Sequence, residues 1–70
     1  MTPTEQAEQI ISDTMAGPYG AQSRYAAARR GLAAVAYNIA LDVSRGEQPT
    51  EGQLARFAAF DAIVKREELA

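Results

Sequence analysis

An all-α fold is what this chain predicts: a small antiparallel bundle of two or three helices, one domain over 1–70, arranged round a long central helix. Three observations carry that expectation. Apolar residues recur at three- and four-residue steps across 21–45, capping boxes stand at Thr2–Glu5 and Thr50–Gln53, and Gly and Pro cluster at 17–20 and 46–49, between the periodic segments.

The first helix is expected over about 3–16. Thr2 serves as N-cap, Pro3 takes the first helical position, and Glu5 reaches back to the cap. Ala7, Ile10, Ile11, Thr14 and Met15 share one face, with Glu5, Glu8, Gln9, Ser12 and Asp13 on or towards the other. At about three turns it is marginal alone, so docking must stabilise it. Gly17 is expected as a left-handed C-cap, Pro18 stops the helix, and Tyr19 reads as folded onto the turn. Gly17-Pro18-Tyr19-Gly20 has no preceding strand and no Lys at phosphate-loop spacing, so it is not a nucleotide loop.

The central helix is expected over about 21–45. Tyr25, Ala28, Leu32, Val35, Ala36, Ile39 and Val43 form one stripe, the expected core face. Ala26, Arg30, Ala34, Tyr37 and Leu41 form a second stripe on the far side, mixing small residues with two large ones where a solvated face would carry charge. Either the first and third helices cover one stripe each, or Tyr37 and Leu41 face a second chain. Gly31 costs about 1 kcal/mol against Ala in a helix interior, which close approach of another backbone would rationalise. Arg24, Arg29 and Arg30 occupy the end of the helix whose dipole disfavours cations, so acidic partners are expected from the first helix: Asp13 near Arg24, then Glu8 and Glu5 towards Arg29 and Arg30.

Gly46 is placed as the residue just past the helix end and Pro49 as the stop, before a third helix over about 51–68. Leu54, Phe57, Phe60, Asp61 and Val64 line one side, with Ile63 at the margin. Phe57 and Phe60 read either as core or as recognition residues. Asp61 should sit at the edge of the packed face or pair with Arg30 or Arg45, because an unpaired buried carboxylate is costly.

Composition bounds the function. Of 33 apolar residues fifteen are Ala, so the core of a 70-residue chain is thin, and without Cys or His neither disulfides nor a zinc site can reinforce it. That points to self-association or a protein partner. The same absences remove the usual nucleophiles and bases, and no Asp-x-Asp-x-Asp-Gly loop is present, so the expectation is a non-enzyme with no cofactor, no metal and no small-molecule substrate. A net charge of −2, and arginines pointing in separate directions, argue against nucleic acid. MTPTEQAEQ lacks the basic-then-apolar order of a secretory signal and no run near 20 residues is apolar, so a cytoplasmic protein, or one in a particle assembled in the cytoplasm, is expected.

The functional expectation is a protein–protein interaction module, a small structural or assembly component of a multi-subunit complex such as a phage particle. Its candidate partner-binding residues are Arg30, Ala34, Tyr37, Leu41, Phe57 and Phe60. The rival is a regulator or inhibitor that binds one target; a factor contacting nucleic acid through Arg24, Arg29, Arg30 and Arg45 is third.

Overall fold

The computed structural model describes residues 1–17 and 23–69. They form three helices, α1 (Pro3–Ala16), α2 (Arg24–Ser44) and α3 (Glu51–Glu68), and no strand occurs among the described residues. Both capping boxes are made: Thr2 and Thr50 each accept from the backbone of the third helical residue, whose side chain accepts in return from the cap N–H. The start of α2 differs from the sequence expectation. Ser23, extended at φ −143°, accepts from the Ala26 N–H and begins the helix at Arg24; Ala21 and the Tyr19 turn lie outside the described residues.

The two glycines at helix ends behave differently. Gly46 takes φ +81°, and the paired bonds Gly46 N–H to Val43 O (3.0 Å) and Glu47 N–H to Asp42 O (2.9 Å) close α2 as a Schellman motif. Gly17 does not take the expected left-handed conformation; it is extended, at φ −73° and ψ 160°. The cause is its neighbour, since a residue before proline is pushed to the extended region.

α2 and α3 form an antiparallel hairpin. Arg24 and Tyr25 meet Glu67 and Glu68, Gly31 meets Phe60 and Asp42 meets Gln53, so from one end of the seam to the other residue numbers rise on α2 as they fall on α3. α1 packs against both helices at one end of this seam. There lies the core: Ala7 and Ile11 of α1, Ala27 and Ala28 of α2, and Ala59, Phe60, Ile63 and Val64 of α3. Several alanines take part because small side chains let the helices close up, and a helix axis can then approach a large ring such as Phe60.

Gly31 is explained inside the chain. A Cβ there would land in the Phe60 ring, 2.7 Å from both Cδ1 and Cζ, so the close neighbour is an aromatic side chain of α3 rather than the backbone of another helix. The expected face of α3 also rotates. Ile63 is central, not marginal, whereas Leu54 and Phe57 are exposed. α1 is too short to reach the end of the seam where those two stand.

The ion pairs shift register. Glu8, not Asp13, meets Arg24 (2.9 Å), and it also accepts from Arg66 (3.3 Å); Glu67 binds Arg24 from the other side (2.9 Å). Glu8 lies five residues before Asp13, about 7.5 Å along the axis at 1.5 Å per residue, so α2 begins beside the middle of α1. Glu5 is held by Thr2 and Asp13 accepts from Gln9, which removes both from the expected pairings. Hydrogen bonds from Arg24 to Glu67, then to Glu8, push its pKa further up. Asp61 is half-buried, at the edge of the packed face, and one turn on Lys65 reaches it at 2.9 Å.

Candidate protein-interaction surface

The helical repeat gives the surface its logic. Residues seven apart lie about two turns, or 10.5 Å, apart on nearly the same face. On α2, Ala27 and Gly31 are buried, while Ala34 and Asn38, seven residues on, are exposed. On α3, Ile63 and Val64 are buried, while Arg56 and Phe57, seven residues back, are exposed. No residue of α2 beyond Gly31 and none of α3 before Ala59 is buried. The faces that make the core therefore continue past it, uncovered, along a two-helix arm.

One side of this arm is concave. Between α2 and α3 runs a groove of about 540 Å³, closed at its inner end by Gly31, Phe60 and Ile10. Ala34, Asn38, Leu41 and Arg45 line it from α2, and Gln53 and Arg56 from α3. Asp42, also in the lining, accepts from Gln53 Nε2 at 2.7 Å and ties the walls together.

The other side is apolar. Leu32, Ile39 and Val43 lie roughly 150° round α2 from Ala34, Asn38 and Leu41, at 100° per residue. Tyr25, on the same line, donates its hydroxyl to Glu68, which places α3 beside this face. Val43 is 54% exposed and Leu54 of α3 52%. Phe57 is 37% exposed, so it is a surface residue and not the core residue its spacing suggests. This outcome also revises the expected core stripe of α2, whose outer member Val43 is more than half exposed.

The six candidate residues thus have different surroundings. Ala34 and Leu41 fall in the groove, Tyr37 projects away from the hairpin at 64% exposed, and Phe57 joins the apolar side. Arg30 is exposed on the outer face of α2. Phe60 is 1% exposed and belongs to the core, reaching the groove only as part of its floor. Helices α1 and α3 do not cover one stripe each; both pack on the side of α2 centred on Ala28 and Gly31, and Ala34 and Tyr37 are exposed. Sequence reading missed Arg56 and Leu54 as surface features, and named Arg45 only as a nucleic-acid contact or a partner for Asp61. The signal available was length alone: a first helix of about 14 residues cannot cover a hairpin whose longer arm has 21.

Among the described residues, no group of three or more acidic side chains is placed to hold a metal ion, and no helix is long and apolar enough to cross a membrane. Arg24 is engaged by two carboxylates, and Arg29 stacks over the Tyr25 ring at 5.6 Å. No protein-family model, curated protein or solved structure matches this chain.

Proposed function

We propose that this chain is a non-enzymatic protein–protein interaction module, a small structural component of a multi-subunit assembly that docks through the helix faces of its α2–α3 arm. The observation that supports this most is the one-sided core. An arm with no buried residue carries Tyr37, Val43, Leu54 and Phe57, each more than a third exposed. Fully burying one such side chain contributes about 1.5–3 kcal/mol, so covering several would stabilise a contact appreciably. Large apolar side chains left exposed along one part of a small domain are candidates for burial against a partner.

Solution mass by light scattering, with helicity from circular dichroism on the same samples, tests the reading. The expected result is a mass that rises with concentration and returns to that of the monomer in a Leu54→Ser, Phe57→Ser variant whose helicity is unchanged. A helical monomer at every concentration, indifferent to those substitutions, would overturn self-assembly and favour a regulator that docks one target.

A further inference from the structure

The α2–α3 seam has two ends, and the chain fills one. At the filled end α1 seats Ala7 and Ile11 on a shelf of small residues, Ala27, Ala28 and Gly31. Charge reinforces the seating, because Glu8 accepts from Arg24 of α2 at 2.9 Å and from Arg66 of α3 at 3.3 Å. Within α1 the charged residues are Glu5, Glu8 and Asp13, with no Lys or Arg. The seam's occupant is an acidic amphipathic helix.

The open end repeats those features. Ala34 and Asn38 continue the shelf, and again one arginine comes from each helix, Arg45 from α2 and Arg56 from α3. Neither makes an ion pair or side-chain hydrogen bond among the described residues, and the one acid in the lining, Asp42, is engaged by Gln53. In a chain of net charge −2, the groove thus sets two arginines against one carboxylate, beside the apolar side chains of Ala34, Val35, Leu41 and Phe60. The walls are side chains of two helices with no strand edge, so an occupant must satisfy its own backbone hydrogen bonds, as a helix does. From Gly31 to Ser44 the arm is about 20 Å long at 1.5 Å per residue, room for about 13 residues of helix.

We propose that this groove binds an acidic amphipathic helix of another protein, its apolar face on Ala34, Val35 and Leu41 and a carboxylate between Arg45 and Arg56, as Glu8 stands between Arg24 and Arg66. A second copy is the poorer fit, because its acidic helix has already spent the centre of its apolar face, Ala7 and Ile11, on its own core. The proposal rests on the interaction reading above and adds the chemistry of the partner.

The test is a titration of the ¹⁵N-labelled full chain with two synthetic helical peptides that share one Leu/Ala face, with Glu flanking it in one and Lys in the other. The Glu peptide is expected to shift the amide resonances of Ala34, Asn38, Leu41 and Arg56, and to bind at least about tenfold more tightly than the Lys peptide. An Arg45→Ala, Arg56→Ala double variant, exposed at both sites and retaining its helicity, should lose about tenfold for the Glu peptide alone, and high salt should do the same to the native chain. Equal binding of both peptides, or shifts confined to Val43, Leu54 and Phe57, overturns the groove assignment while leaving the interaction reading in place. Groove resonances that move with the chain's own concentration overturn it in favour of a second copy. If neither peptide binds, the assignment fails, and the solution mass of the Leu54→Ser, Phe57→Ser variant then decides whether the interaction reading fails with it.

Discussion

Gly31 and Phe60 share one space: the α2 backbone is bare of a side chain where the α3 ring lies against it. Gly31→Ala would gain about 1 kcal/mol of helix propensity, yet its methyl overlaps a ring that is 1% exposed. Overpacking costs about 1–3 kcal/mol, so the overlap should win and lower the midpoint of urea unfolding. A midpoint that rises would mean the ring can give way.

The two phenylalanines of α3 should separate cleanly. Phe60→Ala removes the largest fully buried side chain among the described residues and is expected to cost about 3–5 kcal/mol, enough to unfold so small a domain. Phe57→Ala, already 37% exposed, should cost clearly less. Thermal unfolding followed by circular dichroism reads both, and equal losses would put Phe57 back in the core.

Tyr37 projects from the hairpin, so Tyr37→Ala should change the stability of the isolated chain by no more than about 0.5 kcal/mol. Its effect is expected in association instead, as a lower mass in light scattering. A variant that unfolds would place Tyr37 in the structural core.

Glu8 joins all three helices, through Arg24 directly, through Arg66, and through Glu67 on the same arginine. These groups are partly exposed and each pair contributes about 0–1 kcal/mol, so Glu8→Gln should cost on the order of 1 kcal/mol in dilute buffer. In 1 M salt the deficit should shrink, because screening shortens to about 3 Å. An undiminished loss at high salt would indicate packing rather than charge.

Acid should weaken the beginning of α1. The Thr2 backbone N–H, and next its hydroxyl, hold the Glu5 carboxyl below its ordinary value. A carboxyl depressed by folding contributes stability above its unfolded pKa, about 4.3, and that contribution is lost as the pH falls through the folded value. Glu5→Gln keeps a side-chain acceptor without a titrating group, so this component of the acid response should disappear in amide-exchange measurements on α1. The same slope in both proteins would assign it to other carboxylates.

Local chemistry was legible in the sequence because capping and termination are decided within four or five residues. Thr2 with Glu5, Thr50 with Gln53, and Gly46 before Pro49 each announce a helix end, and the helices start or stop there. The orientation of α3 was not legible. Leu54, Phe57, Phe60, Ile63 and Val64 spread round about half the helix at 100° per residue, and which of them is buried depends on how far α1 reaches. Periodicity weighs bulky side chains, whereas this seam closes on Ala27, Ala28, Gly31 and Ala59, whose small size is their contribution. The groove was half legible: Ala34 and Leu41 stood out on the second stripe, but Arg45 and Arg56 join them only once the hairpin has folded.

The lopsided core also sets where the molecule opens. The short connection after Gly46 joins α2 to α3 at the end with least buried surface, while the contacts that hold the helices together lie at the opposite end, between residues as far apart in sequence as Gly31 and Phe60. Covalent closeness and cohesion are thus at opposite poles. Local opening needs only the weak contacts of the arm, so amides near the covalently joined tip should exchange with solvent sooner than those beside Ala28 and Ile63. Folding must close a loop of nearly thirty residues before any large burial offsets the entropy lost, so formation of the tip cannot by itself commit the chain to its native state.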